Sequence, residues 1–433
     1  MVSQADVAHI KKSFMVPTTF QELGLTAPLL HQLEKLDYKS PTPIQAACIP
    51  LLLQQRDLMG LAQTGTGKTA AFALPLMQLI AKDKSRVRPN HVRALILSPT
   101  RELASQIHDN IIAYGRGLDL STAVMYGGVG YGGQMKALAR GLDILVATPG
   151  RLLDHMAQKN VSLRHVETLI LDEADHMLDM GFAPAIKKIV AETPPQRHTQ
   201  LFSATMPDNI LRLAQAMLRN PETIMVASPD QTADNVEQFL FHVSSQANKK
   251  DDLLRLFSSK GAIGRTLIFT RTKHGANRLA TFLNKSGYPS AAIHGDKSQG
   301  TRERMLKQFR TGETPILVAT DIAARGIDVK DINLVVNFDL PAEPEVYVHR
   351  IGRTARAGAD GEAISFCSPD EFKQIRGIQK LLGNPIPLHP DGGATPVELK
   401  SQSNARSMST GKKSPQRPRP ARRNNSDYSS RRR

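Results

Sequence analysis

The sequence predicts an α/β chain of two tandem domains, each built on a parallel sheet, followed by a disordered basic tail. Three observations carry this. Short apolar runs alternate with helical patterns, which implies βαβ units around parallel strands. The chain has 433 residues, more than one domain usually holds, and 40% of them are hydrophobic, enough for two cores. From Ser401 to Arg433 there are ten Lys/Arg and one acid, about +9 of the net +16. That stretch is rich in Ser, Pro, Asn and Arg and buries too little apolar surface to fold alone. The expected layout is an extension over 1–17, a first domain over 18–226, a linker over 227–235, a second domain over 236–384 and a tail over 385–433.

Each element has its own signal. Met1 to Pro17 shows neither a signal peptide's apolar core nor an Arg-rich transit pattern. Leu29, Leu30, Leu33 and Leu36 fall on one side of an amphipathic helix. Ala94–Ser98, Thr122–Tyr126, Asp143–Ala147, Thr168–Leu171 and Thr199–Ser203 read as buried strands. Ala227 to Asn235 is polar and breaks the pattern, which marks the linker. Val236–Val243, Thr266–Phe269, Ala291–Ile293, Ile316–Ala319 and Asn333–Asn337 repeat the strand theme. No apolar run reaches membrane-spanning length, and a cytoplasmic location is expected. Cys48 and Cys367 lie far apart with no Cys-x-x-Cys, which argues against a disulfide framework or a zinc site.

The chemistry starts at Ala62-Gln-Thr-Gly-Thr-Gly-Lys-Thr69. Thr64, Gly65, Thr66 and Gly67 let the backbone curl so that its N–H groups point at an anion. Lys68 can reach β- and γ-phosphates, and the Thr69 hydroxyl can ligate Mg²⁺. The apolar, helix-forming run from Ala70 to Ile80 places this loop on a helix N-terminus, which favours negative charge. A second segment, Thr168-Leu-Ile-Leu-Asp-Glu-Ala-Asp175, ends a strand in carboxylates. There an NTPase holds Mg²⁺ and positions the attacking water. Asp172 would hold the metal through water, and Glu173 would polarise the nucleophilic water. ATP and Mg²⁺ are the expected substrate and cofactor.

The tetrapeptide Asp172-Glu-Ala-Asp175 resembles the signature of the DEAD-box ATP-dependent RNA helicases, and the other family motifs follow in order. The compact form and basic tail are most similar to the bacterial RhlE subgroup. The resemblance runs from about Phe20 to the 380s. It implies two RecA-like domains. Tyr38-Lys-Ser-Pro-Thr-Pro-Ile-Gln45 resembles the adenine-reading Q motif, with Phe20 as its upstream aromatic and Gln45 as its reader. Asp328 would touch the ribose. The resemblance assigns Asp175, Ser203, Thr205 and His349 to coupling. It assigns Pro99, Thr100, Arg101, Gly128, Thr148 and Arg151 to RNA in the first domain. Arg271, Gly295, Gln299 and Thr320 take that part in the second.

Arg353 and Arg356 would reach the γ-phosphate from the second domain as arginine fingers, so hydrolysis would need domain closure. Asp37 and Tyr38 stand where the Q motif usually has Gly and Phe, and Ala355 replaces a common Gly. RNA would be held by its backbone and by the basic tail, without sequence reading. Ribosomal particles or an RNA-degrading complex are the wider partners that such an activity implies. A Gly128–Gly133 match to G-x-G-x-x-G lacks the acid after a second strand that a dinucleotide fold needs.

Overall fold

The computed structural model describes residues 18–63, 65–83, 87–226, 236–261, 263–324, 329, 332–355 and 361–392. The first domain is a seven-stranded sheet of β1 (Leu58–Leu61), β2 (Val92–Leu97), β3 (Thr122–Met125), β4 (Leu142–Ala147), β5 (Thr168–Leu171), β6 (His198–Ser203) and β7 (Glu222–Met225). Its order is β3-β4-β2-β5-β6-β1-β7, with every pair parallel. The second domain holds β8 (Val236–His242), β9 (Arg265–Phe269), β10 (Ser290–Ile293), β11 (Ile316–Ala319), β12 (Ile332–Asn337) and β13 (Gly361–Cys367). Its order, β10-β11-β9-β12-β13-β8, repeats the first domain's without the last strand. Position by position, β8 matches β1, β9 matches β2, β12 matches β5 and β13 matches β6.

Helices cover both faces of each sheet, so β2, β5 and β6 are buried throughout; β2 and β5 are mostly apolar, while β6 buries His198, Thr199 and Gln200 as well. The alternation of strand side chains splits the core into two layers. Ile96, Val146 and Ile170 enter one, and Leu95, Leu145 and Leu169 the other. Among the described residues, no helix is long and apolar enough to cross a membrane.

The structure corrects the sequence reading in three places. β1, β7 and β13 were not expected. β1 is Leu-Met-Gly-Leu, with no β-branched residue, and Gly60 is required because a Cβ there would sit 2.7 Å from the Phe202 ring. Leu36 is 39% exposed, because the helix Ala27–Lys35 ends before it and only Leu29 and Leu33 of that stripe are buried. The boundary at 384 is too early. Leu240 N donates to Pro387 O at 2.7 Å, His389 N donates to Leu240 O at 2.9 Å, and Ile386 packs into the second core. β8 is an edge strand, and its outward backbone groups need partners that composition does not announce. The expected extension, the linker and the tail from 393 onward lie outside the described residues.

Candidate active site

The C-terminal edges of the parallel strands gather nearly all the expected site residues, as open α/β sheets do. In the first domain the edge divides. β1, β5 and β6 carry the phosphate loop, the acidic segment and Ser203–Thr205. β2, β3 and β4 carry the expected RNA residues.

The loop after β1 takes its shape from Gly65 (φ +85°) and Gly67 (φ +91°), both left-handed, and Gly67 caps the helix Lys68–Lys82. Lys68 is buried, and its Nζ donates to Ala62 O at 2.9 Å. Gln45 Nε2 donates to Gly67 O at 3.1 Å, while its Oε1 accepts from Thr42 N at 2.9 Å. A Cβ at Gly67 would run into the Gln45 amide. The Q motif and the phosphate loop are therefore one packed unit. Phe20 is buried in the first core, edge-on to Tyr38 with ring centroids 6.3 Å apart. Thr66 Oγ1 donates to Gln63 O at 2.8 Å, closing the turn.

Asp172 and Glu173 follow β5 and are both buried. Burial pushes the Asp172 carboxyl upward, and the Glu173 charge adds to this against the pull of Lys68. Glu173 goes the other way. Burial raises it, but the hydrogen bond and charge of His176, then Lys68 and Arg353, hold it below the usual carboxylate range. One acid poised to need a cation beside a second kept ionised is the pattern of a metal ligand and a water-orienting base. Glu173 also sits at φ +52°, a left-handed strain that aims its carboxylate out of the strand line. The donor set of Thr69, Asp172 and a glycine-lined anion cradle fits Mg²⁺ bound to a nucleoside triphosphate.

The coupling residues converge. Asp175 Oδ2 accepts from Ala204 N and Thr205 N, both at 3.0 Å, and from Thr205 Oγ1 at 3.1 Å. Ser203 O accepts from Ala62 N at 3.1 Å, which ties this turn to the phosphate loop. The sequence reading stopped one residue short of His176. Its Nδ1 lies 3.0 Å from Glu173 Oε2, and its ring meets that of His349 edge-on at 4.9 Å. His349 belongs to the helix Pro344–Ile351 of the second domain. A buried contact thus runs from the second domain to the candidate base. Arg353 is also buried and acts electrostatically on Glu173. Thr64, Asp328 and Arg356 lie outside the described residues.

The domains also meet along the other half of the edge. Arg302 Nε, on the helix Gln299–Thr311, donates to Glu102 Oε1 of the helix Arg101–Tyr114 at 2.7 Å, with both side chains buried. Tyr126 OH donates to Glu303 Oε1 at 3.4 Å. Neither pair was expected, because residues 200 and 177 positions apart give no local signal.

Among the expected RNA residues, several have structural partners. Thr100 Oγ1 accepts from Leu103 N at 3.3 Å as a helix cap. Pro99 and Thr148 are buried at strand ends. Gly128 (φ +83°) lies against Arg101, and a Cβ there would run into its guanidinium. Arg151 stacks on Tyr131 at 4.1 Å and donates to Val129 O at 2.9 Å, while its buried Nε and Nη1 have no partner. Burial, then Arg302, pushes the Arg101 guanidinium down. In the second domain Gly295 is open, Thr320 O caps the short helix Asp321–Ala324, and Arg271 Nη2 donates to Glu371 Oε1 at 3.3 Å. Gln299 is buried, with Nε2 on Glu303 and Oε1 without a partner.

Two parallel-sheet domains, one with a phosphate loop and the other packing against the partner of Glu173, define a two-domain RecA-like NTPase. The DEAD/DEAH box helicase family profile matches residues 42–213, and the helicase conserved C-terminal domain profile matches residues 248–358. The chain is 43% identical over 363 residues to the DEAD-box ATP-dependent RNA helicase CshA of Geobacillus kaustophilus, covering 84% of this chain and 76% of that one. It is 42% identical to CshA of Bacillus subtilis, covering 84% and 72%. Among solved structures, S. cerevisiae Dbp5 bound to RNA and ADP BeF3 matches with a TM-score of 0.76 at 31% identity, over 90% of this chain and 99% of that one. Mss116p bound to ssRNA and AMP-PNP shares the fold, with a TM-score of 0.75 at 26% identity, over 90% and 86%. The chain belongs to the DEAD-box ATP-dependent RNA helicases. These relatives carry the CshA name, and the RhlE subgroup finds no support among them.

Proposed function

We propose that this helicase separates short RNA duplexes locally, or remodels RNA–protein particles, by coupling ATP hydrolysis to RNA-gated closure of its two domains. One observation carries the reading. The carboxylate that would orient water, Glu173, belongs to the first domain, yet His349 of the second packs on its partner His176 and Arg353 of the second acts on its charge. Hydrolysis then depends on closure, and closure on what binds across the cleft.

The roles follow from placement. Gln45 braces the loop that binds phosphate through Gly65, Thr66 and Gly67. Lys68 balances phosphate charge. Thr69 and Asp172 would hold Mg²⁺, which would supply positive charge beside the phosphoryl oxygens. Glu173, fixed by His176, orients the attacking water. Arg353 stabilises the charge that develops in the transition state. Asp175, Thr205 and Ser203 transmit the loop's state to the turn after β6. Roles for Thr64, Asp328 and Arg356 rest on the family resemblance alone.

Arg101, Arg151 and Arg271, with Gly128, Gly295 and the capped turns beside them, would grip one strand's phosphates and 2′-hydroxyls. Sequence-independent grip of this kind leaves the RNA target open to ribosomal or RNA-degrading assemblies. A cytoplasmic location fits such a substrate.

Glu173→Gln tests the reading. The variant is expected to bind ATP and RNA yet to turn over far more slowly and to leave a short duplex paired. Wild-type turnover in that variant would remove Glu173 from its role.

A further inference from the structure

The first domain has a second edge rich in charge. At the N-terminal ends of β2, β5 and β6, facing away from the ATP site, lies a cleft of about 630 Å³. Five arginines and a single acid, Glu167, line it. Arg93 and Glu167 pair at 2.9 Å and neutralise each other. Arg88, Arg164, Arg197 and Arg219 remain.

Two buried side chains line the cleft, each with one unpartnered nitrogen; the other ring nitrogen of His198 meets Arg56 O. Arg197 is only 7% exposed, and two of its nitrogens hold the carbonyls of Pro194 and Met217, but Nε has no acceptor. His198 is 8% exposed and its Nδ1 is unpartnered. Buried polar groups are nearly always satisfied, so each one that is not points to a missing partner. At the rim, the His91 and His165 rings lie 4.6 Å apart at 42°, with Arg88 Nη1 3.5 Å from His165 Nε2. Burial, then His91 and Arg88, lowers the His165 imidazole. The local field is therefore positive.

We propose that this cleft binds the backbone of a single-stranded RNA segment lying beyond the one gripped at the catalytic edge. Guanidinium forks match phosphate oxygens. The paired imidazoles offer flat faces on which a base can stack, which an acidic peptide would not use. The six residues of β2 put the two edges roughly 20 Å apart. A short RNA seated at the catalytic edge would not reach the cleft, and a long one would. The inference rests on RNA being this chain's partner.

The test compares the full-length wild type with an Arg88→Ala/Arg164→Ala double variant. Both side chains are exposed, so folding should survive, and an unfolding curve checks that. RNA affinity is measured by anisotropy with strands of about eight and about thirty nucleotides, across a salt series. The double variant should bind the long strand about tenfold more weakly, and its log K against log[salt] slope should fall by about 1.4. Affinity for the short strand, and turnover stimulated by it, should match the wild type. Equal long-strand affinity and slope in the two proteins would overturn the proposal. If instead the variant loses only its binding to polyglutamate, the cleft docks an acidic protein, and the RNA proposal is equally overturned. Absence of any RNA-stimulated turnover in the wild type would count against the helicase reading, while the long-strand comparison would still read the cleft.

Discussion

Lys68 and Lys249 occupy the same place in two copies of one topology and have opposite fates. Each is the first residue of the helix after a matched strand, β1 or β8. Each has a carboxylate nearby from a matched strand end two strands away, Asp172 after β5 and Asp339 after β12. Lys68 donates to one backbone carbonyl. Lys249, fully buried, donates to Phe338 O and to Glu371 Oε2, both at 2.6 Å, with Asp339 at 3.6 Å. Glu371 follows β13, the match of β6, and accepts in addition from Leu340 N and Ser368 N, both at 3.2 Å. The backbone differs too. Left-handed glycines bend the chain before Lys68, whereas Asn248 precedes Lys249 at φ −84°. The first domain thus keeps a lysine free of any ion pair with an acid, as the proposed phosphate role needs, and the second spends the same position on an internal ion pair. In the proposed function one copy does the chemistry, and the other is a partner that brings Arg353 and His349 to it.

The comparison can be broken or sharpened by substitution. Arg353→Ala should lower RNA-stimulated turnover by about 10³ or more, with ATP binding largely retained, as measured by steady-state hydrolysis and nucleotide titration. Lys249→Met should destabilise the second domain by about 3–5 kcal/mol, because it removes the buried cation of Glu371 and leaves only the exposed Arg271. Lys68→Met should do the reverse, abolishing turnover while the denaturation midpoint hardly moves. If both lysines behave alike in the two assays, the contrast fails.

Glu371 adds a pH test. Burial alone would raise its carboxyl, but Lys249 and the Ser368 hydrogen bonds hold it below the usual carboxylate range. A depressed folded value means the stabilisation is complete above the unfolded pKa, about 4.3. It is lost as pH falls through the lower folded value. Denaturation curves from pH 6 down to pH 3 should show that loss, and Glu371→Gln should flatten it.

A double-mutant cycle on Glu102 and Arg302, read from the RNA concentration giving half-maximal ATPase stimulation, should return a coupling of about 0.5–3 kcal/mol. A coupling of zero would mean the interdomain pair adds nothing to closure. The smallest effects concern two departures from family pattern. Asp37 (φ +58°) and Ala355 (φ +52°) both sit in the left-handed region. Glycine relieves about 1–2 kcal/mol of strain there but costs about 0.5–1 in chain entropy, so each substitution to Gly should stabilise by roughly 1 kcal/mol or less.

These cases also show what the sequence could tell. The phosphate loop, the acidic segment and the turn after β6 are legible because each packs its chemistry into a few consecutive residues. The parallel strands are legible where helices bury both faces, as in β2 and β5. β1 and β13 are hidden by a glycine, by polar residues such as Ser365, and by the lack of β-branching in β1. The Glu102–Arg302 pair and the arginine cleft are assembled from segments far apart in the chain, so no window contains them. That Asp37 and Ala355 hold a left-handed backbone becomes visible only once φ is known. Arg151, expected to face RNA, shows a further gap. Charge in a sequence says nothing about whether a guanidinium lies over a tyrosine ring.

The most direct test of closure as the switch is steady-state ATP hydrolysis with no nucleic acid, with single-stranded RNA and with matched DNA. The account predicts slow turnover alone and strong stimulation by RNA but not DNA. Equal turnover in all three would contradict it, since Glu173 and Arg353 would then be aligned whether or not RNA had closed the domains.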